Sequence, residues 1–428
     1  MTTLQAPRDH EARVTAPEQP PPFSLRAKTR SIFVVALALF IGLNVVFQLA
    51  NPFKFDPYRY SYRGWSWWTL EDLKRNSNEY NVALLGSSLM VGAAAGCDAN
   101  YVKKNLDLTK YHEMGYLNDR MHELFGGKFR TFNLAAPGQM PSDAYLMLKA
   151  MASTGNRPDV VIYGVAPRDF IDSTLSAPCD TEPFHYLSRI VSIDDVYAAE
   201  FRGFWGKLDW YLQKASFVYN HALDFQLAFK DAAQVFVDRV VPLPWSDHRF
   251  TWWDRTQMLP NYLPAEIHAA AVIIAPMGKK DMSFNDNTAE YMARYKKPDI
   301  HTFRTQMYFL RKMAEYCHRE RIELVLVNMP IMRFNIAMLP PGVYGKYLEV
   351  LRQFAWNHNI IYYDLCDFAK YPREDFHDTV HLSHLGARKF FDTLIGRLNH
   401  DPRAATALSL SGLQLEKHNA LASQHQPF

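Results

Sequence analysis

The chain is predicted to be an α/β protein: a parallel sheet flanked by helices in three layers, with a large insertion and one N-terminal transmembrane helix. Three observations predict it. Short apolar runs repeatedly end in polar loops, helical patterns separate those runs, and one long uncharged stretch precedes them all. Asn81-Val82-Ala83-Leu84-Leu85 ends in Gly86-Ser87-Ser88, and Thr131-Phe132-Asn133-Leu134 ends in Ala135-Ala136-Pro137-Gly138-Gln139. Val160-Val161-Ile162-Tyr163 leads into Gly164-Val165-Ala166-Pro167-Arg168-Asp169, Leu324-Val325-Leu326-Val327 into Asn328-Met329-Pro330, and a last strand, 360–363, into Asp364. Helical periodicity over 142–152 and 302–318 makes strand and helix alternate, which argues a parallel sheet covered on both faces. The ligand site is then expected at the carboxyl ends of its strands.

Along the chain, residues 1–30 carry Pro7, Pro17, Pro20, Pro21 and Pro22 among charges and read as a disordered cytoplasmic tail. Residues 31–50, SIFVVALALFIGLNVVFQLA, run without a charge for a length that spans about 30 Å as a helix, the thickness of a bilayer core. No small-residue cleavage site follows closely. Instead 51–78 is an aromatic juxtamembrane segment with Tyr58, Tyr60, Tyr62, Trp65, Trp67 and Trp68, suited to a headgroup belt. Arg26, Lys28 and Arg30 precede the span and Lys54, Arg59 and Arg63 follow it, so charge favours a cytoplasmic N-terminus only slightly. Residues 79–400 form the expected catalytic domain. The strand grammar fails over about 172–300, where Trp205, Trp210, Trp245, Trp252 and Trp253 lie among prolines, and this reads as an insertion: a lid, a substrate platform, a partner surface or a packing subdomain. Residues 401–428 read as a weakly structured tail.

Composition excludes several classes. With 48% hydrophobic and 21% charged residues the chain is neither a polyelectrolyte nor a polytopic membrane protein. Lys+Arg 47 against Asp+Glu 44 gives a net charge of +3 and no dense basic tract, so nucleic acid is not an expected partner. The 4 cysteines lack CxxC spacing, which removes a disulfide scaffold and the familiar zinc patterns. A Cys97–Cys179 disulfide is expected if the domain lies in an oxidising compartment, while Cys317 falls on an apolar helix face as a buried thiol.

Chemistry concentrates at two places. A serine at a strand-to-helix turn exposes its hydroxyl and places its own N–H at a helix N-terminus, where developing negative charge is stabilised; Ser87 and Ser88 both qualify. Near the other end, Asp375-Phe376-His377-Asp378-Thr379-Val380-His381-Leu382-Ser383-His384 puts Asp378 three residues before His381, a spacing that lets a carboxylate orient an imidazole. A serine nucleophile needs that base and the base needs that partner. The alternative, an N/O metal site from His377, His381, His384, Asp375 and Asp378, matches no strong signature, so no metal or cofactor is expected, and His377 and His384 read as surface or supporting histidines.

Gly86-Ser87-Ser88 after a strand, Gly138 within 133–138, and Asp378-x-x-His381 near the C-terminus resemble the first, second and fifth blocks of the SGNH (GDSL-type) hydrolase superfamily. The resemblance covers about 80–170 and 320–400. With the single span it resembles the envelope-acylation branch, the alginate O-acetyltransferase-like and D-alanyl-lipoteichoic acid transfer proteins. It implies Ser88 rather than Ser87 as nucleophile, His381 as base, Asp378 as its partner, and the N–H groups of Ser88 and Gly138 as the oxyanion hole. The third block departs: where the superfamily shows Gly-x-Asn-Asp, this chain has Gly164-Val165-Ala166-Pro167-Arg168-Asp169. Arg168 then stands as a substitute oxyanion donor, a substrate contact, or a structural partner of Asp169 or Asp172.

The function so implied is a membrane-anchored serine acyltransferase acting on O-acyl groups of an extracytoplasmic envelope polysaccharide. The expected location is the cytoplasmic membrane, with the catalytic domain periplasmic or extracellular. The polysaccharide and the membrane are the expected partners, and a membrane-bound O-acyltransferase supplying the acyl group is admitted as a third. An esterase that removes the same groups, and a catalytically silent glycan-binding scaffold of an acyltransferase complex, are the alternatives.

Overall fold

A computed structural model describes residues 25–52, 65–76, 79–175, 177–188, 190–197, 203–222, 272–278 and 283–424, with a few single positions between 225 and 236. The proline-rich tail through residue 24, the aromatics and charges at 53–64, and Trp245, Trp252 and Trp253 lie outside the described residues. In chain order the elements are α1 (Leu25–Ala50), α2 (Trp65–Arg75), β1 (Val82–Gly86), α3 (Ser88–Val102), β2 (Leu106–Asp107), α4 (Gly115–Phe125) and β3 (Thr131–Asn133). There follow α5 (Pro141–Ser153), β4 (Val160–Val165), α6 (Arg168–Ile171), α7 (Glu182–Leu187), α8 (Gly203–Ala215), α9 (Phe217–Asn220) and β5 (Ile273–Ile274). The chain continues through α10 (Thr288–Tyr295), α11 (Ile300–Glu320), β6 (Glu323–Asn328), α12 (Arg333–Ala337), α13 (Val343–Asn357), β7 (Ile361–Asp364), α14 (His384–His400) and α15 (Pro402–Gln424).

The chain divides into two compact units, residues 1–54 with 212–225, and residues 55–211 with 226–428. In the first, α1 contains the stretch Ile32–Ala50, 19 residues with mean hydropathy 2.5, long and apolar enough to cross a membrane. Within the stretch, Asn44 Oδ1 accepts from Ser216 Oγ at 2.9 Å and from the Val218 N–H at 3.1 Å. Phe47 packs against Phe217 and Phe225, ring centroids 6.0 and 5.4 Å apart.

The second unit holds a five-stranded, all-parallel sheet in the order β3-β1-β4-β6-β7. Numbering those strands one to five along the chain gives 2-1-3-4-5, the flavodoxin-like order, whose reversal point lies at β1. Val82 pairs with Thr131 on one side and Val160 on the other, so β1 is central, and every residue of β1 and β4 is buried. Strands sheltered on both faces must be apolar at every position, which is why they read as continuous runs in the sequence. The chain moves one way from β1 to β3 and the other way from β3 to β4. Right-handed crossovers therefore put the helices of the two connections on opposite faces. One group packs α3 with α4, α14 and α15, and another packs α5 with α2, α7 and α11.

Helix patterning explains both groups. In α14, Ala387, Phe390, Phe391, Leu394, Ile395 and Leu398 recur at three- and four-residue spacing and are buried, whereas α3 is lined with Ala93, Ala94, Ala95 and Gly96, which admit a close neighbour. In α11 the side chain of Asp299 caps the helix by accepting from the N–H groups of His301 and Thr302 at 3.0 and 3.1 Å, and Arg321 ends it in the left-handed conformation. Two expectations are corrected. Pro402–Gln424, expected to be weakly structured, form α15, which packs on α14 and α4 through buried Ala404, Leu408 and Leu415. Cys97 and Cys179 are not joined: all four cysteines are thiols, and Cys97, Cys179 and Cys317 are buried.

Candidate active site

The turn from β1 into α3 is set by Gly86. Its φ is +152°, and a Cβ there would lie 2.7 Å from Met90 Cβ and 2.9 Å from the Gly164 carbonyl oxygen, so only glycine lets the strand end this close to β4 and α3. Ser87 then takes an extended conformation (φ −79°, ψ −165°) at the N-cap, and Ser88 is the first residue of α3. The two serines separate accordingly. The Ser87 hydroxyl is buried beside the Asp169 carboxylate without a hydrogen bond of good geometry, while Ser88 Oγ lies 2.8 Å from His381 Nε2. The Ser88 N–H belongs to the first turn of a helix, where no intrahelical acceptor exists.

The loop after β3 stands beside this elbow. Gln139 donates its N–H to Ala136 O at 3.0 Å, closing a turn with Pro137 second and Gly138, φ +76°, third. That is the type II pattern, which requires positive φ at the third position. The Gln139 side chain fixes the turn to the elbow: Oε1 accepts from the Gly86 N–H at 2.9 Å, and Nε2 donates to Leu134 O at 3.0 Å. Arg168 holds the other side of the turn, its Nη1 donating to Gly138 O at 2.8 Å. Its Nη2 lies 2.9 Å from Asp172 Oδ2, and Arg294 also pairs with Asp172. Arg168 is thus buried, neutralised and tied to Gly138, the glycine for which the resemblance implies an oxyanion role.

The Asp378–His381 loop follows from one carboxylate doing two tasks. Asp378 Oδ1 accepts from the N–H groups of Val380 and His381 at 2.8 and 2.7 Å, building a tight turn, and Oδ2 lies 2.6 Å from His381 Nδ1. With the Nδ1 proton held by the carboxylate, Nε2 is left as the acceptor facing Ser88. Burial raises the Asp378 pKa, but the hydrogen bonds and charge of His381 with the Val380 N–H outweigh it, so the carboxyl titrates below its ordinary value. His377 N donates to His381 O at 2.8 Å, and Ser383 Oγ caps α14 by accepting from the Gly386 N–H at 3.2 Å. His384 is buried against Gly96, its Nε2 3.0 Å from Ala275 O, and burial lowers its pKa. Among the described residues no three His, Cys, Asp or Glu side chains gather as a metal ion requires.

The structure brings Ser88, His381 and Asp378 into one hydrogen-bonded chain and sets Gly138 and Arg168 together on the adjoining loop. It also recruits residues that sequence reasoning passed over. Gln139 is one; a fully buried glutamine after Pro-Gly in a small, apolar loop was its only signal. The end of the expected insertion supplies others. Asn287 Oδ1 accepts from the Thr379 N–H and hydroxyl at 3.1 and 2.6 Å, Asn285 N donates to His377 O at 2.7 Å, and Asn335 Nδ2 donates to Thr379 Oγ1 at 2.9 Å. Residues 283–300 therefore brace the histidine loop. Asp169 and Asp143, fully buried nearby, are both pushed up to about 6 by desolvation.

A parallel α/β fold with a Ser–His–Asp chain at the sheet's reversal point is the class of molecule these features define. No family-level sequence model and no curated protein matches the chain. Thirteen solved chains are similar in structure. One is a putative acylhydrolase from Bacteroides fragilis, 8% identical, with a TM-score of 0.30, covering 76% of this chain and 90% of that one.

Proposed function

We propose that the chain is a membrane-anchored serine enzyme of the SGNH type that transfers O-acyl groups onto an extracytoplasmic envelope polysaccharide. The observation that carries this reading is the continuous chain Ser88 Oγ–His381–Asp378, at 2.8 and 2.6 Å. Ser88 Oγ attacks the acyl carbonyl carbon while its proton passes to His381 Nε2, and the tetrahedral oxyanion is received by the N–H groups of Ser88 and Gly138. As the intermediate collapses, the bond to the leaving oxygen breaks and that oxygen takes the proton from His381. A sugar hydroxyl then attacks acyl-Ser88, gives its proton to His381, and the regained proton returns to Ser88 Oγ. Asp378 stays ionised throughout and stabilises the imidazolium, consistent with its lowered pKa. Arg168, fixed against Gly138 O, keeps the oxyanion turn in place.

Ile32–Ala50 anchors the chain in the cytoplasmic membrane, its N-terminus inside, and the acyl group comes from a membrane-bound O-acyltransferase. A fluorophosphonate probe tests the nucleophile: the full chain should be labelled at Ser88, and Ser88→Ala should abolish both labelling and turnover. A catalytically silent scaffold would take no label. Transfer is separated from hydrolysis by supplying an activated acyl ester with and without envelope oligosaccharide and weighing acylated sugar against free acid by mass spectrometry. Free acid dominating at saturating acceptor defeats the transferase reading and leaves an esterase.

A further inference from the structure

Helix α8 has no buried residue, yet it carries a segregated apolar face. At 100° per residue, Tyr211, Phe204, Ala215, Leu208, Leu212 and Trp205 fall within an arc of roughly 120°, whereas Lys207, Lys214, Asp209 and Gln213 take the remainder. Phe204 and Trp205 are 72% and 77% exposed, and Tyr211 is 59% exposed. Trp210, outside the apolar arc, instead stacks on Tyr197 with ring centroids 4.3 Å apart, so the helix has one face toward protein and another that is largely exposed.

What covers that face is indicated by the next residues of the chain. Immediately after α8, Ser216 and Val218 hydrogen-bond to Asn44, and Phe217 packs on Phe47. Asn44 and Phe47 lie six and three residues before Ala50, the end of the apolar stretch, or about 9 and 4.5 Å along the helix axis. The segment following α8 thus sits about 4.5–9 Å inside the end of the apolar stretch, the depth to which interfacial helices bury their apolar faces. We infer that α8 lies in the plane of the membrane surface, its Phe204–Trp205–Leu208–Leu212 face in the lipid and Lys207 and Lys214 toward the headgroups. An aromatic and aliphatic face of moderate length flanked by lysines is the composition of interfacial helices. The inference rests on reading Ile32–Ala50 as a membrane span.

The test uses the full chain in phosphatidylcholine vesicles containing a phospholipid with a photoactivatable diazirine near the glycerol end of one acyl chain. After illumination, adducts are mapped by peptide mass spectrometry. Adducts are expected within 203–212 and within 32–50, and the double substitution Trp205→Glu/Leu208→Glu should lower those in α8 at least about fivefold while turnover of a soluble ester is unchanged. Adducts on 32–50 with none on α8 overturn the inference and leave the span reading intact, the outcome also expected if a second copy covered the face. Adducts on neither segment overturn the span reading and this inference with it. Undiminished labelling of α8 in the double variant likewise overturns the inference.

Discussion

Replacing Gln139 with methionine, close in length and volume, is expected to unsettle both stability and catalysis. The substitution removes two buried hydrogen bonds, the one accepted from the Gly86 N–H at 2.9 Å and the one donated to Leu134 O at 3.0 Å, and brings no water to replace them. An orphaned buried polar group costs about 1–3 kcal/mol, so two cost about 2–6 kcal/mol. At about 2–4 °C of melting temperature per kcal/mol for a large domain, the loss is roughly 4–24 °C. The catalytic effect follows from position. Gln139 is the residue after Gly138 and the side chain that ties its turn to the serine elbow. A displaced oxyanion donor lowers kcat by about 10²–10³, with KM little changed because the donor acts chiefly on the transition state. Differential scanning calorimetry and turnover of an activated acyl ester by the full chain measure both. A melting point lowered by less than about 2 °C would refute the structural argument, and full kcat in a variant that still folds would refute the coupling of Gln139 to the oxyanion turn.

Three further outcomes are expected. Ser87→Ala should retain at least part of the activity and all of the fluorophosphonate labelling, because its hydroxyl is buried away from His381; loss of labelling there would reverse the assignment of the two serines. Asp378→Asn should lower kcat by about 10⁴, since an amide N–H facing Nδ1 forces the proton onto Nε2 and removes the base, and a kcat within tenfold of the parent would refute that role. Asp143 gives a pH signature. Its folded pKa of about 6 exceeds the ordinary 3.8, so between those values the folded state binds more protons than the unfolded state, and this group's contribution to stability falls as pH rises. Asp143→Asn should therefore gain melting temperature relative to the parent between pH 4 and pH 7, and a difference that is constant or falls with pH contradicts the shift.

The parallel sheet was legible because strands buried on both faces tolerate nothing polar, so Val82–Leu85, Val160–Tyr163 and Leu324–Val327 stood out against their loops. The elbow and the histidine loop were legible as local grammar: Gly-Ser-Ser after a strand, and a carboxylate three residues before an imidazole. What escaped was non-local. Gln139 closes a contact with Gly86 across 53 positions, and Asn287 braces Thr379 across 92, distances over which a polar residue in a loop carries no periodic signal. The bracing by residues 283–300 was hidden for the same reason, since it runs through pairings to a loop far ahead of them. Helix α15 escaped because its apolar positions, Ala404, Leu408 and Leu415, are small or widely spaced.

Acyl transfer and an anchor make sense together on physical grounds. In the proposed reaction an acyl-Ser88 ester would be open to water, present at far higher concentration than any sugar, so transfer would need the donor and the acceptor to be held close. Fourteen residues separate Ala50 from Trp65. Fully extended, a segment of that length reaches about 50 Å. On the proposed reading, a partner embedded in the same membrane would meet the enzyme at an effective concentration set by the tether rather than by bulk diffusion. A lipid-bound α8 would restrict the chain further, because it fixes a second point, more than 150 residues beyond the span, to the same surface. Two attachments limit rotation as well as distance, and rotation is what a nucleophile must control when its acyl donor arrives from one direction only.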